Sequence, residues 1–158
     1  MKNIFFYQTP IGRIGILEDG HAITNLYFPG DQLPAVAIDA TMETELLSYA
    51  GAQLQSYFEG RLKFFNLPLA PVGTKFRQQV WESVRKVSYG ETRSYQEIAI
   101  SIDNNNAYRA VGLANSLNPI PIFIPCHRII GANGRLVGYR GGLQVKKYLL
   151  KLEKTAFL

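Results

Sequence analysis

Cysteine is almost absent from this chain, whose 158 residues contain only Cys126. An internal disulfide is therefore excluded, and the cysteine content gives no indication of an oxidising compartment. Long apolar runs are also missing, since no stretch approaches the roughly 20 residues of a membrane-spanning helix. Gln8, Pro10, Gly12 and Arg13 interrupt the apolar start of the chain, so we expect no signal peptide. These absences predict a soluble, cytoplasmic protein without a membrane partner.

Acidic residues are scarce in the second half of the chain. Residues 73–158 contain thirteen Lys or Arg against five Asp or Glu, whereas residues 1–72 contain four against seven. A basic half favours a polyanionic partner, and nucleic acid is the leading candidate because phosphate contacts dominate such binding. A solvated surface with uneven charge is the alternative that charge alone leaves open.

The patterning of residues 1–72 predicts a small domain of mixed α and β structure. Short apolar runs alternate with turn signals over the first forty residues, which is typical of strands and hairpins. From Thr41 the apolar spacing becomes helical and continues to Gly60. Proline and glycine at residues 68–73 then interrupt regular structure, so we place a domain boundary there and a second domain at residues 73–158.

The second domain carries clearer helix signals. Thr74 is positioned to cap one helix, and Ser94 with Glu97 forms a capping-box pattern at the start of another. A further helix at residues 107–117 follows after a short polar turn, so the last two helices are typical of a helix-turn-helix. Plain helical packing without a nucleic-acid partner is the alternative reading of this pair.

The start of the second helix in this pair suits contact with DNA. Recognition helices approach a groove with their N-terminal residues. Arg109 supplies a positive charge there, and Ala110 and Gly112 are small enough to allow a close approach. The alternative for Arg109 is an ordinary solvated helix charge.

Cys126 follows an apolar segment, residues 119–125, whose three prolines exclude a helix interior or a central strand. A thiol is a strong nucleophile only as thiolate, and its ordinary pKa of about 8.5 leaves a few per cent ionised at neutral pH. His127, directly behind it, is a candidate base. The alternative is an inert core residue, because free cysteine often acts as a small buried hydrophobe.

The end of the chain predicts a hairpin and then a helix. Asn133-Gly134 is a strong turn signal, and the flanking segments Arg128-Ile129-Ile130 and Leu136-Val137-Gly138-Tyr139 predict two strands. This hairpin would form a wing beside the helix-turn-helix. Gly141-Gly142 then opens an amphipathic helix whose apolar residues we expect in the core: Leu143, Val145, Leu149, Leu150 and Leu152.

The second half of the chain resembles the O6-alkylguanine-DNA alkyltransferases, also called methylated-DNA–protein-cysteine methyltransferases. The matching motifs are Asn118-Pro119, Ile124-Pro125-Cys126-His127-Arg128, Gly138-Tyr139-Arg140-Gly141-Gly142 and Lys147-Tyr148-Leu149-Leu150-Lys151-Leu152-Glu153. Upstream, Gly90-Glu91, Ser94-Tyr95 and Arg109-Ala110-Val111-Gly112 match in order and spacing. The resemblance implies an α+β protein, with a ribonuclease-H-like sheet-and-helix domain at residues 1–72 and a winged helix-turn-helix-like domain at residues 73–158.

The resemblance also implies a DNA repair reaction that each chain performs once. Cys126 would take a methyl or larger alkyl group from O6 of a guanine that is turned out of double-stranded DNA through the minor groove. O4 of thymine is a further candidate target. His127 would accept the thiol proton through a water, Glu153 would hold the imidazole, and Tyr95 would donate a proton to the guanine ring. The thioether product is irreversible.

The resemblance assigns further residues to the pocket and to DNA. The pocket would be formed by Asn118, Pro121, Ile129, Tyr139 and Arg140. DNA would be contacted by Tyr108, Arg109, Ala110, Gly112 and Arg128. Arg109 would replace the flipped nucleotide in the base stack. The carbonyls of Cys126 and Ile129 would accept from the exocyclic amine of guanine, and the amide of Arg140 would bond O6.

Several features depart from parts of the family. Tyr108 stands where many relatives have a small residue, and Arg140 replaces a smaller residue of some members. Some relatives hold zinc in the first domain, but here residues 1–72 contain His21 and no cysteine, so we expect no metal and no cofactor. Alkyltransferase-like proteins carry tryptophan in place of the cysteine, so Cys126 indicates catalysis rather than lesion binding alone.

Two other functions remain open from the residues alone. A DNA-binding regulator would need only the helix-turn-helix and the basic face. A cysteine hydrolase would need its cysteine and histidine apart in sequence and a preformed oxyanion hole, which the adjacent Cys126 and His127 do not suggest. We expect a monomer, with cooperative binding to DNA and the size of the accepted alkyl group left open.

Overall fold

The computed structural model describes residues 1–34 and 41–155. The chain divides into two compact units, Met1–Pro71 and Val72–Leu158. Within the described residues, every helix is too short or too polar to traverse a lipid bilayer.

In the described part of the first unit, three antiparallel strands form a sheet with one helix packed on it. The strands, neighbours in chain order, are β1 (Asn3–Thr9), β2 (Gly12–Glu18) and β3 (Ile23–Tyr27). Helix α1 (Glu45–Phe58) starts after Thr44, whose hydroxyl accepts a hydrogen bond from the Leu47 amide. A side chain at Gly51 would clash with the ring of Tyr7, so glycine lets α1 lie close to β1. The predicted small sheet with one helix is confirmed.

The second unit contains four α-helices within its described residues, 72–155. They are α2 (Lys75–Arg85), α3 (Tyr95–Ser101), α4 (Tyr108–Ser116) and α5 (Leu143–Thr155). Thr74 caps α2, and Ser94 with Glu97 forms the expected capping box at the start of α3. Trp81 of α2 donates from its indole nitrogen to the carbonyl of Ala114 in α4 at 2.8 Å. This bond ties the helix-turn-helix pair, α3 and α4, to the rest of the unit.

The predicted hairpin forms only in part. The turn is present, since the Gly131 amide donates to the Arg135 carbonyl at 2.8 Å. Residues 136–139, however, form no strand, so the prediction of a paired second strand is wrong. Strand β5 (Ile129–Ile130) instead pairs in parallel with β4 (Arg93–Ser94), just before α3. The partner of β5 is thus distant along the chain rather than the neighbouring segment.

The expected core face of α5 also needs correction. Leu149 is fully buried, but Leu143 is 48 % exposed and lies at the open start of the helix. Val145, Leu150 and Leu152 are half-buried. Lys146, in contrast, is buried, because its ammonium donates hydrogen bonds to two backbone carbonyls inside the unit.

Candidate functional site

Cys126 lies at the end of an irregular segment that the side chain of Asn118 holds in place. The Asn118 amide donates from Nδ2 to the Ile124 carbonyl and accepts at Oδ1 from the Ile120 amide, each at 2.9 Å. Because both ends of the amide are used, the side chain supports the segment together with the backbone bond from the Ile124 amide to the Ile120 carbonyl at 2.9 Å. The segment is buried, as the proline pattern predicts.

The backbone just before the cysteine is strained. Ile122 has a φ of 73°, a left-handed conformation that a β-branched residue rarely adopts and that costs about 1–3 kcal/mol. A 3₁₀ turn, Cys126–Arg128, follows. The Cys126 side chain is only 4 % exposed, so the surrounding structure holds the thiol in one position beneath the surface.

His127, Arg128 and Glu153 form a buried ionic cluster behind Cys126. His127 Nε2 lies 2.6 Å from Glu153 Oε2. Arg128 donates from Nε to Glu153 Oε1 at 2.8 Å and from Nη2 to Oε2 at 2.9 Å. All three side chains are 5 % exposed or less. The cluster therefore links the turn that carries Cys126 to helix α5.

The charges of this cluster settle which histidine nitrogen is free. Burial opposes ionisation of Glu153, but hydrogen bonds and charges from His127 and Arg128 outweigh it and hold its pKa well below the usual range. An ionised carboxylate can only accept, so His127 Nε2 carries a proton. Burial lowers the pKa of His127, against the opposing effect of Glu153. The imidazole is therefore neutral, with its lone pair on Nδ1.

The thiol itself is neutral at rest. Burial raises the pKa of Cys126, while a hydrogen bond from Asn118 and the cations of Lys146 and Arg140 lower it part of the way back. The thiol must therefore lose its proton as it reacts. His127 Nδ1 is buried and has no hydrogen-bond partner among the residues that the structure describes. The site thus combines a nucleophile that needs a base with a neutral imidazole that can act as one.

Lys146 belongs to the site, although no sequence motif pointed to it. Its ammonium donates to the carbonyls of Ile129 at 2.7 Å and Val137 at 2.9 Å. Burial lowers its pKa to about 8, partly offset by Cys126. Lys146 precedes Glu153 by seven residues on α5, so helical spacing places both on one face. That spacing is the sequence signal that could have revealed it.

A small cavity opens beside Cys126. It has a volume of about 10 Å³, which is room for roughly one water. Its lining residues are Asn115, Ser116, Asn118, Pro121, Cys126, Gly138, Tyr139 and Arg140. Of the expected pocket residues, Asn118, Pro121, Tyr139 and Arg140 are brought together here. Ile129 is fully buried and is not among the lining residues.

Residues 138–140 close this cavity from one side. Arg140 donates from Nη1 to the Asn118 carbonyl at 3.2 Å. Burial raises the pKa of Tyr139 well above its ordinary value, and Cys126 contributes through charge and a side-chain hydrogen bond. Tyr139 is thus a neutral phenol against the thiol. A purine can enter only if these side chains move, since the cavity holds far less than a base.

The outer face of α4 is exposed and carries three of the residues expected to contact DNA. Tyr108, Arg109 and Ala110 are all exposed at its start. The Arg109 guanidinium lies 5.7 Å from the centre of the Tyr108 ring, close enough for a cation–π contact. Leu113 and Leu117 are exposed further along, at 58 % and 43 %. Exposed apolar side chains beside a cation suit a surface that meets a base stack.

Gly112 and Tyr95 lie against each other between α4 and α3. A Cβ atom added at Gly112 would lie 3.8 Å from the Tyr95 ring, an ordinary contact distance. Burial raises the pKa of Tyr95, with a further contribution from Cys126. Tyr95 is therefore a neutral phenol that can donate its proton, and it stands at the junction of α3 with the exposed face of α4.

Arg128 does not lie where the sequence analysis expected it. It is 5 % exposed and donates from Nη1 to the Val87 carbonyl at 2.8 Å as well as to Glu153. All three guanidinium nitrogens donate hydrogen bonds inside the unit. The structure therefore does not support the expected contact of Arg128 with DNA. The ionised carboxylate of Glu153 explains the difference. Glu153 is buried, and a buried carboxylate that is paired with Arg128 is more stable than one left unpaired.

Two family models match this chain. The DNA-binding domain of 6-O-methylguanine DNA methyltransferase matches residues 75–155, and the ribonuclease-like domain of the same proteins matches residues 5–71. The methylated-DNA–protein-cysteine methyltransferase of Methanosarcina acetivorans is 47 % identical over 148 residues, which cover 93 % of this chain and 95 % of the relative. The constitutive enzyme of Bacillus subtilis is 42 % identical over 155 residues, with 95 % and 94 % covered.

Solved structures give the same result. The crystal structure of the O6-methylguanine methyltransferase of Mycobacterium tuberculosis has a TM-score of 0.91 at 42 % identity, covering 99 % of this chain and 94 % of that one. The structure of the M. tuberculosis OGT in complex with DNA has a TM-score of 0.88 at 42 % identity, covering 98 % and 94 %. The expected fold, with a ribonuclease-like unit before a DNA-binding unit, is confirmed.

Proposed function

Because this chain belongs to the 6-O-methylguanine DNA methyltransferase family, which repairs DNA by transferring an alkyl group to a cysteine of the protein, we propose that Cys126 is the acceptor. Its partner is DNA. The substrate we propose is double-stranded DNA that contains O6-alkylguanine. The observation that carries the assignment is the chain's single thiol, buried beside a neutral imidazole that Glu153 orients.

Activation of the thiol is the first step of the proposed mechanism. His127 Nδ1 takes the proton from Cys126, through a water as the resemblance implies. The resulting imidazolium is stabilised by Glu153, whose carboxylate lies 2.6 Å from Nε2. The cations of Lys146 and Arg140, which lower the pKa of Cys126, stabilise the thiolate. This is the arrangement of an activated nucleophile, a base and an orienting carboxylate.

Displacement at the alkyl carbon is the second step. The sulfur forms a bond to that carbon while the carbon–O6 bond breaks, and the electron pair passes through O6 into the purine ring. Tyr95 donates its phenolic proton to the ring nitrogen N3, so the base leaves as neutral guanine. A thioether has no easy leaving group, so each chain reacts once. No metal or cofactor is needed for this displacement.

Access to the lesion requires a flipped nucleotide, because O6 lies inside the duplex. We propose that α4 enters the minor groove with Arg109 in the place of the extruded base, and that Tyr108, Ala110 and Gly112 lie against the groove. Tyr108, Arg109 and Ala110 are exposed, which supports this orientation. We further propose that one protomer suffices for the reaction and that the protein works in the cytoplasm, where it meets DNA.

Mass spectrometry tests the proposed acceptor directly. The protein is mixed with duplex DNA that carries O6-methylguanine, digested, and analysed by peptide mass. We expect the peptide that contains Cys126 to gain the mass of one methyl group, in an amount that does not exceed one per chain.

Cys126→Ala is the matched control, since it removes only the sulfur. It should bind the same DNA and show no mass gain. An unmodified Cys126 peptide beside tightly bound lesion DNA would reject the transferase assignment and favour a binding protein. Turnover of an ester substrate would favour a hydrolase instead.

A further inference from the structure

Asn115, on the inner side of α4, is a polar residue outside the motifs that point to the site. It is 5 % exposed and lines the cavity beside Cys126. Its Nδ2 donates to the Cys126 carbonyl at 3.2 Å. Because a carbonyl oxygen can only accept, this bond decides which end of the amide is which. The other end, Oδ1, is the acceptor left over.

Asn115 Oδ1 is buried, and no described residue donates a hydrogen bond to it. A buried acceptor without a donor costs free energy, and native structures keep few of them. The bond from Nδ2 to the Cys126 carbonyl uses only the donor end of the amide, so it does not remove this cost. An acceptor that is kept beside the reactive thiol therefore points to a donor on the substrate.

The proposed substrate has one group that can supply this donor. Alkylation at O6 removes the proton from N1 of guanine, so the exocyclic amine at N2 carries the only N–H groups of the damaged base. O4-alkylthymine has lost its N3 proton in the same way and has no exocyclic amine. It therefore offers no N–H donor to an acceptor in the pocket.

Resting on the function proposed above, we infer that Asn115 Oδ1 accepts a hydrogen bond from the exocyclic amine of the flipped guanine. This contact makes the site selective for O6-alkylguanine over O4-alkylthymine. Of the two carbonyls expected to accept from this amine, that of Ile129 is already bonded to the Lys146 ammonium at 2.7 Å and that of Cys126 is already bonded to Asn115 Nδ2. The two ends of one amide are adjacent, so an amine that reaches this carbonyl comes within reach of Oδ1.

The selectivity follows from the cost of an unpaired group. A site built to bond an N–H group rejects an analogue that lacks it, because the buried acceptor is then left without a partner. Asn115 is thus a specificity residue for the base, while the alkyl group is handled by Cys126. Both tasks meet in one small cavity.

Single-turnover rates with three duplexes test this inference. The duplexes carry O6-methylguanine, O6-methylhypoxanthine, which lacks only the exocyclic amine, or O4-methylthymine. In Asn115→Leu we expect the preference for O6-methylguanine over O6-methylhypoxanthine to shrink by about tenfold, and the preference over O4-methylthymine to shrink with it. Asn66→Ala, an exposed position in the first unit, should keep both preferences.

A purely structural role for Asn115 has a different signature. It would slow transfer from all three duplexes by the same factor, and that result would overturn the inference, as would unchanged rates. Circular dichroism checks the fold of each variant. If Asn115→Leu does not fold, the same rates are measured with Asn115→Ala. A wild-type protein that takes a methyl group from none of the duplexes would instead overturn the proposed function, and the inference with it.

Discussion

At the scale of single residues, the site depends on buried charges that each have a defined partner. Glu153 is held ionised by His127 and Arg128. Lys146 is fully buried and bonds two backbone carbonyls. Because these charges are paired, the thiol and the imidazole between them can both stay neutral until substrate arrives. In the proposed mechanism, the ion pair of thiolate and imidazolium forms only during the reaction.

The pH dependence of transfer follows from His127. Burial keeps its pKa below the ordinary value of 6.5, so the base remains neutral as pH falls through that value. We expect the single-turnover rate to persist below pH 6.5 and to decline only at lower pH. A rate that is half-lost at pH 6.5 or above would contradict the proposed state of His127.

The same shift has a consequence for stability. The unfolded chain takes up a proton near pH 6.5 that folded His127 does not, so the free energy of unfolding falls as pH drops below that value. Urea denaturation across this range measures the decline. In a His127→Gln variant the free energy of unfolding should fall less steeply with pH, because the contribution of His127 is gone.

Lys146 offers a second prediction at this scale. Lys146→Met leaves the carbonyls of Ile129 and Val137 without their donor and removes a cation near the thiol. We expect transfer to slow by about tenfold and residues 131–140 to exchange their amide protons faster. Lys147→Met is the matched control, because Lys147 is exposed. Equal effects of the two variants on rate and exchange would show that Lys146 has no special role.

At the scale of elements, α4 has two faces with different tasks. Its inner face carries Asn115 and the Ala114 carbonyl, which meets Trp81. Its outer face presents Arg109 and apolar side chains. A single helix therefore connects the surface proposed to meet DNA with the cavity at Cys126, over a distance of one helix diameter.

Arg109→Ala separates these two tasks. Because Arg109 is proposed to fill the place of the extruded base, we expect transfer from duplex DNA to slow by about a hundredfold, on the scale of the few kcal/mol that extrusion costs. Transfer from a free O6-methylguanine nucleoside needs no extrusion and should be unchanged. Arg85→Ala, in α2, serves as the charge control. A loss with both substrates would argue for a structural role of Arg109.

At the scale of the whole molecule, charge is divided between the two halves of the chain. Residues 73–158 hold thirteen Lys or Arg, but Arg128 and Lys146 are buried and unavailable to DNA. The remaining cations are therefore the ones that set the electrostatic attraction to phosphate. This attraction is independent of sequence, which suits the repair of scattered lesions.

The affinity for undamaged DNA is expected to fall steeply with salt. Each phosphate contact releases a counterion, so raising salt from about 50 to about 200 mM should weaken binding by about tenfold or more. Fluorescence anisotropy with a labelled duplex measures this dependence. An affinity that is independent of salt would contradict binding through the basic unit.

Helix positions and caps could be predicted from this sequence because they depend on neighbours along the chain. Thr74 and the pair Ser94 and Glu97 act within three residues, and the motif around Cys126 is contiguous. The wing was predicted wrongly for the converse reason. The sequence pattern predicted that residues 129–130 pair with residues 136–139. They pair instead with Arg93–Ser94, which lies far away in sequence.

The sequence by itself determined the family and the proposed nucleophile and base, because a lone thiol inside a continuous motif is visible in one dimension. Only the tertiary structure decided which charges are internal. Arg128 and Lys146 read as surface cations until the fold buries them beside Glu153 and two backbone carbonyls. The unpaired oxygen of Asn115 likewise emerges only when the surroundings of Cys126 are assembled, since burial and hydrogen bonding depend on residues that are distant along the chain.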